Sequence, residues 1–564
     1  MRAAIYTEKT QCRDCYKCVR HCPVKAIRVA ESSATIDHDL CIFCGRCVEV
    51  CPAGAKKVRN DIPRAQQLIK LKREVYVSLA PSFPAAFPEE TASFLEDLKQ
   101  LGFAGVSETA LGAEAVSKAQ RGLLDQGRGL QISSACPSIR ILASRYFPEA
   151  NKAISPLPSP MVSHARLLRR WYGEDIGIVF IGPCIAKKTE AEQYPELIDL
   201  ALTFDEALQW IEAEKPGLKS SSSTDIDFVP HKAGTAALFP LDGGMIRAMG
   251  TEVGNHYRCM NQSGCREIVK TYENIDDLTE QNLFLELMAC DGGCINGPGF
   301  TRHDSGISRQ VRVLESWESN CAAQTLTENA AALVEQSWRL NMPPRNRYTA
   351  EEIEATLRVL GKERVEDRKD CGGCGYNTCR EFAVAFLDDK AEKEMCVTEM
   401  RRLAQNKVSA LLHTIPMGAV IVDAEMRLVE CNRRFLELFA DLPYPPDARA
   451  VARAEGNRIT AFVPETDAFH QLLERDGSVE RIVKYGEKVL KGLFFQIQAG
   501  RLVGAVFQDI TAPAVKRETV VKKAEEVIRK NLESVQQIAG LLGENAAETE
   551  IILNSLISAY EPGE

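Results

Sequence analysis

The sequence predicts a multidomain protein mixing α+β and α/β segments, and three observations carry that expectation. Residues 1–62 hold one cysteine pattern twice, C-x2-C-x2-C-x3-C-P: Cys12, Cys15, Cys18 and Cys22 before Pro23, then Cys41, Cys44, Cys47 and Cys51 before Pro52. Residues 63–342 alternate apolar, β-branched runs with helical stretches, the order of an α/β domain. Residues 401–512 carry period-2 runs around a short helix, the order of a small α+β domain. Between them, 343–400 forms a compact cysteine-rich segment, and 513–564 reads as a helical tail.

At 564 residues the chain has room for several domains. A hydrophobic content of 45% and a charged content of 26% are those of an ordinary soluble protein. The net charge of −9 argues against a nucleic-acid partner. No apolar run reaches the length of a membrane span, so no membrane partner is expected. The opening MRAAIYTEKTQC lacks the apolar centre of a signal peptide. The expected location is therefore cytoplasmic, where 20 cysteines point to metal rather than to disulfides.

The two cysteine runs have the spacing of bacterial two-cluster ferredoxins, in which the fourth cysteine of each run crosses to the other cluster. That resemblance implies one 4Fe–4S cluster on Cys12, Cys15, Cys18 and Cys51 and another on Cys41, Cys44, Cys47 and Cys22. Disulfides or zinc are the alternatives. Two tandem matches, each closed by proline, favour iron–sulfur.

Next, PRAQQLIKLKRE at 63–74 reads as a short helical linker. Strand candidates follow at 75–80 (VYVSLA), 130–135 (LQISSA), 175–182 (DIGIVFIG) and 283–289 (LFLELMA), and the last three run into Cys136, Cys184 and Cys290. Strand carboxyl ends are where α/β folds place their sites. KSSSST at 219–224 is a surface loop. Four cysteines from three such loops, Cys136, Cys184, Cys290 and Cys294, are able to hold one more cube; alone, each is equally a buried thiol.

The text around these cysteines resembles the FeFe hydrogenase family. Ser133-Ser134-Ala135-Cys136-Pro137, Gly182-Pro183-Cys184-Ile185-Ala186-Lys187-Lys188-Thr189-Glu190 and Glu286-Leu287-Met288-Ala289-Cys290-Asp291-Gly292-Gly293-Cys294 are similar to its signatures T-S-C-C-P, M-P-C-x-x-K-x-x-E and E-x-M-A-C-x-x-G-C. The resemblance implies an H-cluster: a 4Fe–4S cube ligated by Cys136, Cys184, Cys290 and Cys294, joined through Cys294 to a diiron unit bearing CO and CN⁻. It implies that Lys187 meets a cyanide ligand as a charge-assisted donor. It also implies that the loop Ala80-Pro81-Ser82 cradles the other cyanide and that Met288 lines the pocket.

The departures matter as much. Ala135 stands where the family has its proton-transfer cysteine, and a methyl group carries no proton. Gly182 stands where the family has methionine, so pocket volume near the diiron unit is expected to differ. Ala119 and Gln120, on the helix after Leu111-Gly112, stand where prototypes carry relay acids. General acid–base transfer contributes typically ~10²–10⁴-fold. The expectation is a site that splits H2 slowly, with water or another side chain as relay. The bland alternative is a site that binds only the cube.

Cys371, Cys374, Cys379 and Cys396 form a third group, with glycines at 372, 373 and 375 that allow a tight wrap. The text resembles the small 4Fe–4S domain of corrinoid-protein subunits and of regulatory hydrogenases; zinc is the alternative. Cys259, Cys265, Cys321 and Cys431 remain, each read as a buried thiol. Residues 411–439 and 506–511 resemble a PAS domain, whose pocket in that family holds haem, flavin or nothing. His413 and His470 are better read as solvated or satisfied histidines than as haem ligands. In the tail, Val521, Ala524, Ile528, Asn531, Val535, Ile538 and Leu542 form a three-heptad seam, suited to packing on the chain itself or to a homodimer.

Three functions follow from these parts. The first is an H2 sensor, with electrons moving along the clusters and a separate kinase or phosphatase as output protein. The second is a metabolic hydrogenase working with ferredoxin on H2 and protons. The third is an electron-transfer scaffold without the diiron unit. Either hydrogenase reading implies dedicated maturation proteins as partners.

Overall fold

The computed structural model describes residues 3–87, 91–214, 228–250, 257–301, 304–318, 339–344, 346–439, 451, 453–486, 488–511, 526, 527, 529 and 530, without the side chains of 91, 404–409, 411 and 413. The expected loop at 219–224, Cys321, the side chain of His413 and the heptad seam lie outside the described residues. The chain forms two compact units, Met1–Cys396 and Val397–Glu564. No described helix is long and apolar enough to cross a membrane.

The first unit opens with two small antiparallel ladders. β1 (Ile5–Thr7) and β4 (Lys56–Val58) form one, and β2 (Ile27–Ala30) and β3 (Ser33–Ile36) form the other. Short helices Lys17–His21 and Arg46–Val50 each begin after a left-handed residue, Tyr16 and Gly45, so the two cysteine runs fold alike. Gly45 has a second constraint. A β-carbon there would lie 2.3 Å from Pro298 Cγ and 2.9 Å from Ile185 Cδ1. Only glycine lets the second run seat this closely on the loops that carry Cys184 and Cys294.

Two parallel sheets build the α/β portion. β5 (Val75–Leu79), β6 (Gly105–Glu108), β8 (Gly177–Gly182) and β9 (Leu200–Thr203) lie in the order β6-β5-β8-β9. β7 (Leu130–Ile132), β10 (Arg258–Ser263) and β11 (Leu283–Met288) lie in the order β10-β11-β7. Every residue of β5, β6, β8, β9 and β11 is buried, as parallel strands covered on both faces must be. β7 is shorter than the run at 130–135 suggests. The chain leaves it at Ser133, whose amide bonds Leu285 O at 2.9 Å and whose hydroxyl meets Met245 Sδ at 3.2 Å.

Helices Ala110–Gln126 and Pro160–Tyr172 pack on the larger sheet and cross at Gly112, where a β-carbon would lie 2.3 Å from Pro160 O and 2.5 Å from His164 N. His164 is fully buried, and both its ring nitrogens are bonded, to Ser78 Oγ at 2.8 Å and Ser107 Oγ at 2.9 Å. Burial lowers its pKa to about 3, so the ring is neutral and bridges β5 and β6.

The cysteine-rich segment closes the unit. A capping box between Thr349 and Glu352 starts the helix Ala350–Val359, and Thr378 caps the helix Cys379–Leu387. Gly375 packs on Val19, and Lys25 Nζ donates to Gly375 O at 2.6 Å.

In the second unit, β12 (Gly418–Asp423), β13 (Leu428–Cys431), β14 (Ser478–Tyr485), β15 (Lys488–Gln498) and β16 (Leu502–Asp509) form one antiparallel sheet in the order β13-β12-β16-β15-β14. Phe435, Phe439, Phe469, Phe494 and Phe507 fill its core. Buried Asn432 accepts from Ala419 N and Phe435 N and donates to Leu412 O and Met417 O, all within 2.8–2.9 Å, which locks the first strand to the elements beside it.

Candidate metal centre

The carboxyl ends of β5, β7, β8 and β11 converge on one cavity of about 110 Å³. β5 contributes Ala80, Pro81 and Ser82; the segment after β7 contributes Ala135 and Cys136. β8 leads to Cys184 and Lys187; β11 contributes Met288 and leads to Cys290 and Cys294. Four cysteines separated by up to 158 positions in sequence thus share one enclosure.

Burial raises the pKa of all four thiols. Cys136 lies above the ordinary thiol value, Cys184 is pushed up to about 11, and Cys290 and Cys294 lie well above it; the last three also have other cysteines of the set as like-charged neighbours. Four thiolates do not collect in an apolar enclosure unless a cation compensates them. Iron would supply that charge, and a 4Fe–4S cube would need four sulfurs around one space. Among the described residues, no three His, Cys, Asp or Glu side chains gather closely enough to share a single ion. The cysteines instead ring a space, which suits a cube rather than zinc.

Other walls fit the same group. Ser82 Oγ is buried and has no hydrogen-bond partner among the described residues, an orphan donor facing the cavity where the sequence resemblance puts an anionic ligand. Met288 Sδ lies 3.9 Å from Cys294 Sγ. Lys187 Nζ reaches the wall with its charge held by Glu190 Oε2 at 2.5 Å and Ser159 Oγ at 2.9 Å, while Arg140 pairs with the other oxygen of Glu190 at 3.4 Å.

Gly182 corrects an expectation. It does not line the cavity. A β-carbon there would lie 2.7 Å from both Ala80 Cβ and Phe180 Cζ. Phe180, two residues earlier on the same face of β8, fills the volume and is itself a wall residue. Strand alternation, which sets 180 and 182 on one face, was the signal for it.

Sequence reasoning also passed over Glu286 as a proton site. Its oxygens accept from Met245 N and Ile246 N, both at 3.1 Å, and it lines the cavity together with Ala135. Burial pushes its carboxyl up to about 7. Ala119 and Gln120 lie on the helix Ala110–Gln126; Gln120 donates to Gln131 Oε1 at 2.8 Å, and Gln131 reaches Tyr257 Oη at 3.3 Å, a chain without an acid.

The N-terminal cysteines also group by proximity. Cys22 sits by Cys41, Cys44 and Cys47, the crossing that the motif implies, while Cys12 and Cys15 neighbour Cys18. Lys56 stands beside both Cys18 and Cys51. Phe43 and Cys44 line the central cavity, so the second group abuts it. In the third group, Cys374 neighbours Cys396 and Cys371, and Cys379 N donates to Asp370 Oδ1 at 2.6 Å. Buried Tyr376 stands between Cys374 and Cys22.

Residues 73–298 match the family described as "Iron only hydrogenase large subunit, C-terminal domain", residues 11–55 match "4Fe-4S dicluster domain", and residues 367–398 match the family described as "Putative Fe-S cluster". Iron hydrogenase 1 of Clostridium pasteurianum is 25% identical over 372 residues, 52% of this chain; the chain spans 64% of that relative's length. Among solved structures, a variant of the [FeFe]-hydrogenase HydA1 from Chlamydomonas reinhardtii is similar at 15% identity, covering 50% of this chain and all of its own, with a TM-score of 0.38. The PAS domain of an HTR-like protein from Haloarcula marismortui is similar at 16% identity, over 19% of this chain and 99% of its own, with a TM-score of 0.15.

Proposed function

The chain belongs to the FeFe hydrogenase family, and from that premise we propose that it is a sensory hydrogenase. It binds H2, converts it slowly and reversibly to two protons and two electrons, and passes the electrons through its 4Fe–4S clusters. Its PAS-like domain reports the redox state to a separate kinase or phosphatase. Ferredoxin or a similar carrier exchanges electrons with it, maturation proteins supply the diiron unit, the tail allows a homodimer, and the setting is cytoplasmic and anaerobic. The PAS-like pocket carries no assigned ligand.

One observation carries the reading: a single cavity holds four cysteines, Lys187 and Ser82, yet presents Ala135 where a proton carrier is expected. Cys136, Cys184, Cys290 and Cys294 hold the cube, and the diiron unit supplies H2 cleavage when bound. Lys187, fixed by Glu190 and Ser159, presents an ammonium to an anionic ligand, and Ser82 presents a hydroxyl. Phe43, Phe180, Phe239 and Met161 exclude water, which strengthens both interactions. Glu286 is the one carboxyl among the described wall residues, and burial pushes it up to about 7, where it is able to exchange a proton near neutral pH.

That property of Glu286 favours a second reading, a metabolic hydrogenase with this carboxyl as relay. H2 turnover by the anaerobically matured protein, with infrared spectra under H2 and under inert gas, separates the cases. Slow turnover with CO and CN⁻ bands that shift under H2 supports the sensor, and fast turnover supports the metabolic enzyme. Absent bands, with a matured control succeeding, leave an electron-transfer scaffold.

A further inference from the structure

Among the described cysteines, Cys15 and Cys371 alone are exposed; the others are buried or half-buried. The two belong to different groups, the first N-terminal run and the cysteine-rich segment, yet they share one stretch of surface. Arg20 ties their loops together: its guanidinium donates to Cys15 O at 2.9 Å and to Gly373 O at 3.2 Å. Lys25 adds a second tie, donating to Val19 O at 3.3 Å and to Gly375 O at 2.6 Å. Two cysteine groups therefore present their outermost sulfurs on the same side of the molecule.

Charge marks the half of this face around Cys15. Within five positions of it, the exposed charged side chains are Arg13, Lys17 and Arg20, all cations. The one acid in that span, Asp14, is half-buried and accepts from Tyr16 Oη at 2.8 Å. Lys17 and Arg20 stand at i and i+3 of the helix Lys17–His21, so they share a side of it. Exposed Lys9 extends the cations to the turn before Cys12. None of Arg13, Lys17 and Arg20 pairs with a carboxylate among the described residues. Around Cys371 the exposed charges are mixed, with Lys369 and Arg380 against Glu366 and Asp370. In a chain of net charge −9, the cationic rim of Cys15 runs against the prevailing sign.

We propose that the cationic rim around Cys15, formed by Arg13, Lys17 and Arg20, docks an acidic one-electron carrier protein that exchanges electrons with the first N-terminal cluster. In each delivery the carrier is oxidised by one electron and the cluster is reduced by one; no bond forms or breaks. The inference rests on the carrier named in the proposed function and gives it a place, but it needs only the N-terminal cluster and not the diiron unit. With Cys18 buried and Cys12 and Cys51 half-buried, Cys15 is the outermost sulfur of its group. Electron-transfer encounters are weak and bury less than about 1,200 Å², so a few unpaired cations suffice to steer one. Opposite charge on the partner raises the association rate by about 10–10³-fold, and salt removes the gain.

The test is stopped-flow reduction of the full-length, cluster-loaded protein, followed at the iron–sulfur absorbance with two donors: a reduced acidic bacterial ferredoxin and the methyl viologen radical cation. The wild type is compared with Lys17→Gln and with the double variant Arg13→Glu, Lys17→Glu; Arg20 stays, because it ties the two loops. At low salt the double variant takes electrons from the ferredoxin at least ~10-fold more slowly, while viologen reduces it no more slowly than the wild type. Added salt slows the wild type with ferredoxin and leaves the double variant nearly unchanged. Lys17→Gln falls between the two, which keeps the inference testable where the double variant fails to load. Equal ferredoxin rates in the wild type and the variants overturn it. So does a parallel loss with both donors, which would mean that the cations only offset the charge of the cluster beneath them. Absence of CO and CN⁻ bands in the wild type strikes the hydrogenase reading instead and leaves the ferredoxin result standing on its own.

Discussion

Lys187 and Lys188 are consecutive on the helix Ala186–Gln193 and serve opposite sides of it. Lys187 Nζ meets Ser159 Oγ at 2.9 Å on the cavity wall, while Lys188 Nζ meets Asp61 Oδ2 at 2.9 Å and Glu206 Oε2 at 2.8 Å in a seam where all three residues are buried. Burial alone would push the Asp61 carboxyl up, but Lys188 and Arg59 outweigh it and hold the carboxyl below the usual range.

Lys188→Met removes the cation from between two buried carboxylates. Breaking a buried pair from one side costs on the order of 3–5 kcal/mol, so the unit Met1–Cys396 unfolds at lower denaturant. Lys187→Met costs less, because Glu190 keeps Arg140 and Ser159. Its signature is a shift of the infrared cyanide bands with the fold intact.

At Gly112, alanine gains about 1 kcal/mol of helix propensity but forces a β-carbon onto Pro160 O and His164 N. Overpacking against backbone costs about 3 kcal/mol, so Gly112→Ala is destabilising overall. Thermal unfolding reads the result, and a rise in melting temperature would refute the close crossing.

Glu286 holds its proton up to about pH 7. If it is the relay, H2 evolution declines as pH rises through 7, where the carboxyl loses the proton it must deliver. Glu286→Gln removes that inflection and lowers turnover by at least ~10²-fold. An unchanged pH–rate profile in the variant assigns the relay elsewhere.

Glu108 accepts from Ala233 N at 2.5 Å, and burial pushes its carboxyl up to about 7 from 4.5. Between those values the unfolded chain has released a proton that the folded chain keeps, so stability falls as pH rises through this window and levels off above it. Glu108→Gln flattens that slope, as denaturant titrations at pH 5 and 8 would reveal.

Iron removal is expected to act on one unit alone. Cys18, Cys41, Cys47 and Cys396 are buried in the same core cluster of the first unit, while the second has its own core around Phe435 and Phe507. Chelation after oxidation should abolish the unfolding transition of Met1–Cys396 and spare that of the unit beginning at Val397.

The strands were legible because parallel, doubly covered strands leave continuous apolar runs, and β5, β8 and β11 lie inside the stretches the sequence marks. The four central cysteines were legible as motifs at strand ends. Lys188 was not, because its partner Asp61 lies 127 positions away and no local period encodes such a pair. Phe180 hid behind Gly182 because a motif compares positions, whereas packing compares volumes.

Lys25 reaches Gly375 O across 350 positions, and Gly375 seats on Val19. At ~5–20 residues per second, synthesis separates these partners by roughly 20–70 s. During that interval the first cysteine run has left the ribosome without its outer cover, and its sulfurs stay open to the iron donor and to oxidants alike. The packing of Gly375 on Val19 is therefore a contact that only the nearly complete first unit can make.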